Sequence, residues 1–203
     1  MVGVLALQGD FEAHTKMLQG LGAETREVRV PADLEGLDGL VMPGGESTTM
    51  TLGIKREGLG DPLRAFVASG KPVLGTCAGM IMLDREHLGS MDTLCRRNAF
   101  GRQIRSFEED LEIPGIDGTV RAVFIRAPWL AEYGDGVEIL AEVDGHPVAA
   151  RQDNMLVISF HPEIAGETRV HELFLRSVSG AREYEPQGES SPKHPSALRE
   201  DAT

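Results

Sequence analysis

The chain has 203 residues, about one domain, and at that size burying roughly 70% of the unfolded surface gives a core that needs no disulfide or metal staple. Its 32 acidic against 20 basic residues give a formal charge of −12, which argues against direct DNA or RNA binding, since that function leaves a basic footprint. Glycine is unusually common, 24 of 203 residues against an average near 7%, so the backbone must turn tightly or be approached closely at several places.

Residues 2–7 form a continuous apolar run that predicts a buried strand. No basic segment precedes it and no small-residue cleavage site follows, so a signal peptide is not expected. After Gln8-Gly9-Asp10, a helix is predicted with Phe11, Met17, Leu18 and Leu21 toward one face. Residues 24–30 alternate like a strand, and the short strand 39–42 stops at Pro43-Gly44-Gly45, which opens a further helix capped by Ser47 or Thr48. A strand over 72–75 runs into Thr76-Cys77-Ala78-Gly79 and a helix from about 80 to 88. Strands alternating with helices imply a parallel sheet covered on both faces. The second half is richer in strand, with runs at 119–125, 137–143, 147–151 and 155–160 and a hairpin signal at Asp144-Gly145. The last helix, about 168–177, carries Val170, Leu173, Phe174 and Val178. Residues 1–180 read as one domain, and 181–203, rich in Pro, Ser, Gly and charge, as a disordered tail. No apolar run reaches the ~18 residues of a membrane span, and a soluble cytoplasmic protein is expected.

Of the two cysteines, which form no CxxC pair, Cys77 lies in G-x-C-x-G, the thiol form of the nucleophile elbow. A nucleophile projected from a strained strand-to-helix turn needs small residues two before and two after it, where a side chain would strike the neighbouring backbone. The helix behind it favours a thiolate, and its first amide points at an oxyanion. The alternative is that Cys77 is a small buried hydrophobe beside two structural glycines; the strand before the motif and the helix after it favour the elbow. Cys95 has no assigned role.

A thiolate needs an imidazole partner and a group that fixes the tautomer. His161 ends the apolar run 156–160, at a carboxyl strand end where α/β sheets bind ligands. Pro162 stiffens the turn and Glu163 can reach back to the ring. The other histidines, His14, His87, His146, His171 and His194, are expected to be solvated. His161-Pro162-Glu163 also matches half of a zinc deaminase signature, but the P-C-x-x-C half is missing, and Gly134-Asp135-Gly136 is a turn and not a dinucleotide fingerprint. Gly44 and Gly45 allow backbone amides to face outward as a second oxyanion donor.

G-T-C-A-G at 75–79, P-G-G-E-S-T at 43–48, R-N-A-F-G-R-Q at 97–103, F-H-P-E at 160–163 and the opening L-A-L-Q-G-D-F-E-A-H at 5–14 together resemble the class I glutamine amidotransferases. Within them the chain is similar to the branch of glutaminase subunits of pyridoxal phosphate synthases, over about residues 2–178. The resemblance implies an α/β, flavodoxin-like, three-layer fold: a mostly parallel central sheet with helices on both faces and antiparallel strand additions. It implies Cys77 as nucleophile, His161 as general base and then acid, and Glu163 as orienter. Gly45, Glu46, Ser47, Arg97, Ile125 and Arg126 fall on positions that bind L-glutamine, and the amides of Gly45 and Ala78 on those that hold the oxyanion. No metal or cofactor is implied on this chain. The implied partner is a barrel-shaped, oligomeric synthase subunit that takes the ammonia, and the glutaminase is nearly silent until docked, with a peptide flip at Gly44-Gly45 as the switch. The stretch between 80 and 96 is several residues shorter than is usual in that family. From the residues alone three rivals stay open: a subunit feeding another synthase, a cysteine peptidase or amidase on the same sheet, and a non-catalytic binding subunit.

Overall fold

A computed structural model describes residues 1–97 and 106–183. Asn98 to Gln103 of the R-N-A-F-G-R-Q motif and residues 184–203 of the expected tail lie outside the described residues. The first half runs β1 (Val2–Leu5), α1 (Phe11–Gly20), β2 (Thr25–Val28), β3 (Gly39–Met42), α2 (Ser47–Arg56), α3 (Gly60–Ala68), β4 (Val73–Thr76) and α4 (Ala78–Leu83). The second half runs β5 (Thr93–Arg96), β6 (Phe107–Glu112), β7 (Thr119–Phe124), β8 (Trp129–Tyr133), β9 (Glu138–Val143), β10 (His146–Gln152), β11 (Met155–Ile158), α5 (Pro162–Ala165) and α6 (Arg169–Glu183).

Seven strands make the central sheet in the order β2-β1-β3-β4-β11-β10-β9. The first five are parallel and the last two are added antiparallel. Those five follow the doubly wound order 2-1-3-4-5. Alternate side chains of each strand feed two cores. Leu40, Met42, Val73, Met155 and Val157 pack with α2, α3 and α4, while Val41, Leu74, Leu156 and Ile158 pack with α1, α6 and the β6/β7 ribbon. Covering on both faces is why β1, β3, β4 and β11 read as nearly unbroken apolar runs. Asp144 and Gly145 both have positive φ, 51° and 73°, as the two-residue turn between β9 and β10 requires.

Four expectations change. The helix after the elbow stops at Leu83 instead of running to 88, because the buried Asp84 carboxylate accepts hydrogen bonds from the amides of Glu86 and Cys95 and contacts His87 Nδ1 at 2.7 Å. These bonds turn the chain out of the helix. The cap of α2 is Glu46, whose carboxylate accepts from the amides of Thr48 and Thr49; Ser47 and Thr48 already lie inside the helix. The last helix continues past 177 to Glu183, three residues into the segment read as a tail. His14 and His171 are fully buried, not solvated. Among the described residues no helix is long and apolar enough to cross a membrane.

Candidate active site

The carboxyl ends of β1, β3, β4 and β11 meet at one edge of the sheet, and each delivers a piece of one cleft. Cys77 follows β4 with φ 46° and ψ −101°, a strained conformation for a residue with a side chain. The flanking glycines allow it. A Cβ on Gly79 would lie 1.9 Å from the Met42 carbonyl oxygen, and one on Gly75 would lie 2.9 Å from the backbone of Gly79. The Cys77 amide donates to the Ile158 carbonyl at 2.9 Å, tying the thiol-bearing turn to the strand that carries His161.

The imidazole is held on both sides of its strand end. The His161 amide donates to the Val123 carbonyl at 2.9 Å, and Nδ1 meets Glu163 Oε1 at 2.7 Å, with both side chains buried. Pro162 starts α5 and Gly166 ends it in the left-handed region, so that Glu163 points back at the ring. An Nδ1–H donated to a carboxylate leaves Nε2 as the atom that exchanges protons with a thiol. Burial works against a charge on His161, but hydrogen bonds with Cys77 and then Glu163 outweigh it and raise its pKa to about 10. The resting site therefore favours an imidazolium.

The turn after β3 closes the third side. A Cβ on Gly44 would lie 2.6 Å from His161 Cε1, and Gly45 has φ 146° with Gln8 Oε1 against the place where its Cβ would be. Gln8 Oε1 accepts from the Glu46 amide at 2.8 Å. The Glu46 carboxyl is lowered to about 2, first by the Thr49 amide and then by the Thr49 hydroxyl and the Thr48 amide. Arg97 Nη1 reaches Thr48 Oγ1 at 3.3 Å and Ser47 Oγ at 3.5 Å.

A cleft of about 470 Å³ results. All of the sequence-predicted residues line it, namely Gly45, Glu46, Ser47, Cys77, Ala78, Arg97, Ile125, Arg126 and His161, except Glu163, which stands behind the imidazole. The wall also contains Asp10, Ile81 and Ile164, which sequence reasoning missed. Asp10 was legible in principle, because it sits in the turn after β1 at the same carboxyl edge. Its Oδ2 lies 3.7 Å from His161 Nδ1. Asp10, His161 and Glu163 bring one ligand-type atom each within 4.8 Å of one another, but the nitrogen facing both carboxylates is the one engaged by Glu163, so this grouping reads as the surroundings of an imidazolium. Cys95 is half-buried; burial first, then the Asp84 carboxylate, pushes its thiol well up, which leaves it an inert thiol.

The sheet order is that of a doubly wound α/β protein, and its thiol elbow shares one cleft with an imidazole backed by a carboxylate, groups of the kind that acyl transfer by a thiol requires. The chain belongs to the SNO glutamine amidotransferase family, whose model matches residues 4–180. It is 53% identical over 190 residues to the pyridoxal 5'-phosphate synthase subunit PdxT of Mycolicibacterium vanbaalenii, a match covering 88% of this chain and 97% of that one. The subunit of the same name from Mycobacteroides abscessus is 52% identical over 187 residues, with 88% and 97% covered. A solved structure described as a glutamine amidotransferase superposes with a TM-score of 0.82 at 46% identity, over 88% of this chain and 98% of that one.

Proposed function

We propose that this chain is the glutaminase subunit of a pyridoxal 5'-phosphate synthase, hydrolysing L-glutamine to L-glutamate and ammonia and passing the ammonia to a synthase subunit. The names of its relatives support the pathway. The observation that carries the chemistry is the 2.7 Å contact of His161 with Glu163 beside the strained Cys77 elbow in one cleft.

Cys77 Sγ attacks the side-chain amide carbon, and the amides of Gly45 and Ala78 hold the oxyanion. His161 gives its proton to the departing nitrogen, which leaves as ammonia with the thioester formed. Water that has lost a proton to His161 then attacks the thioester; glutamate departs and the thiolate–imidazolium pair returns. Glu163 holds the imidazole in one tautomer throughout. Arg97 and Arg126 suit the α-carboxylate, and Glu46 with carbonyls near Ser47 and Ile125 suits the α-ammonium. No step calls on a metal or cofactor. The partner in this reading is a barrel-shaped, oligomeric synthase whose docking switches on the Gly44-Gly45 turn. A cytoplasmic setting goes with it, since the nucleophile must stay reduced.

Glutamate release by Cys77→Ala, measured with the synthase subunit present, is expected to fall by about 10³-fold or more. A glutamine-analogue electrophile is expected to add one label at Cys77, seen by peptide mass. Unchanged turnover in the variant overturns the reading, and hydrolysis of a peptide by the isolated chain favours the peptidase rival.

A further inference from the structure

Behind Glu163, on the side away from the cleft, lie two histidines that the mechanism leaves unused. His14 comes from α1 and His171 from α6, and neither has any exposed surface. His14 Nδ1 is 2.8 Å from His171 Nε2. His14 Nε2 is 3.2 Å from Thr76 Oγ1, on the residue before the nucleophile, and 3.4 Å from Glu163 Oε2. His14 thus faces the carboxylate oxygen that His161 does not use, and His171 and Thr76 in turn hold His14.

We propose that His14 and His171 form a buried neutral relay that keeps the Glu163 carboxylate aimed at His161, which makes both of them positioning residues for the thiol chemistry. The proposal rests on the reading of Cys77, His161 and Glu163 as a triad. Its direction follows from counting donors. A carboxylate only accepts, so Glu163 Oε2 requires the proton of His14 on Nε2. His14 Nδ1 is then an acceptor, and His171 must donate from its own Nε2. What is left over is the lone pair of His171 Nδ1, which is buried without a partner. Thr76 Oγ1, 3.2 Å from His14 Nε2, can donate or accept and so fits either polarity. The opposite polarity would bury an unmet N–H on His171 and turn the His14 lone pair toward the carboxylate, whereas the first leaves only the weak acceptor of His171 Nδ1 unmet and an N–H facing the loosely contacted Oε2.

The surroundings agree with neutral rings. Burial, then the facing His171 and His161, holds the His14 pKa well below 6.5, and burial lowers His171 to about 4. The titratable and charged groups facing Glu163 and its imidazole are His14 and His171 from the helices, Cys77 from the elbow, and Asp10 at 3.7 Å from the cleft side. The 3.4 Å contact is too loose for a hydrogen bond, and Oε2 has no other partner. Contacts of this kind shorten when a site binds its substrate.

The test uses the full chain. Without the His14 donor, Glu163 holds the imidazolium less well, and the thiolate paired with it forms only at higher pH. His14→Phe is expected to move the acidic limb of Cys77 alkylation by iodoacetamide up by about one pH unit, the scale of one lost charge-assisted hydrogen bond. In the synthase complex it is expected to lower kcat about tenfold with little change in KM. His14→Gln keeps an N–H donor and is expected to restore most of both. In the unmutated protein, ¹⁵N imidazole shifts should show His14 and His171 as neutral Nε2–H tautomers at pH 7, a measurement that stands even if His14→Phe does not fold. A His14 proton on Nδ1, or a wild-type limb and kcat in His14→Phe, overturns the relay while an inactive Cys77→Ala leaves the triad intact. An active Cys77→Ala removes the triad and the relay together.

Discussion

Cys77 holds a backbone conformation with φ 46° that costs about 1–3 kcal/mol, and the glycines around it set how that strain is accommodated. Gly79→Ala puts a methyl 1.9 Å from the Met42 carbonyl oxygen, inside a strand that cannot retreat. It is expected to destabilise the fold by about 3 kcal/mol or more, read as a lower urea midpoint. Gly44→Ala differs. Its Cβ meets His161 Cε1 at 2.6 Å on the cleft side, so stability should be nearly kept while glutaminase turnover falls about 10²-fold, as for a reacting group displaced by an ångström; equal losses of turnover and melting temperature would contradict this. At this scale much of the site was legible, because an elbow and a strand-end histidine have fixed spacing. The two buried histidines were misread although their positions carried a signal. His14 falls three residues after Phe11 and four before Leu18, and His171 three before Phe174. A histidine on the apolar face of a helix has to find a polar partner inside.

Four of the five parallel strands, β1, β3, β4 and β11, were legible because burial on both faces leaves little room for polar residues; the edge strand β2, Thr-Arg-Glu-Val, was read from its alternation instead. β5, β6 and β8 were not, since they belong to two-stranded ribbons with one wet face. In β6 the sequence Phe107-Glu-Glu-Asp-Leu-Glu buries little beyond Leu111. α3 was hidden by Gly60-Asp61-Pro62, which reads as a breaker but fills the first turn of the helix, where proline is tolerated. The early end of α4 depended on a side chain with no local pattern, the Asp84 carboxylate, which is 1% exposed. Asp84→Ala leaves the amides of Glu86 and Cys95 without their acceptor. It is expected to cost about 2–4 kcal/mol, measured by denaturant unfolding, and to loosen the segment leading to Arg97, so that KM for glutamine rises more than kcat falls.

For the whole molecule, the histidines pull stability in opposite directions with pH. His14 and His171 are lowered in the fold, so the unfolded chain binds protons that the native one refuses. Their contribution is present above about pH 6.5 and is lost as pH falls below it, for His171 down to about 4, by up to about 1.4 kcal/mol per pH unit for a ring that stays neutral. His161 is raised to about 10, so its contribution is complete below 6.5 and disappears as pH rises through 10. Melting temperature followed from pH 4 to 10 should pass through a broad maximum near neutrality, and His171→Phe should flatten the acid side if the variant folds; an unchanged acid slope would count against a neutral buried pair. Thr76 pairs with Ile158 in the sheet, and the Cys77 amide is bonded to the Ile158 carbonyl, although the two strands lie far apart in the chain. During synthesis β4 leaves the ribosome long before β11, so the thiol has no imidazole until the C-terminal half has folded back beside it. Its reactivity is a reporter of completed folding, and a nascent or truncated chain carries only an ordinary cysteine.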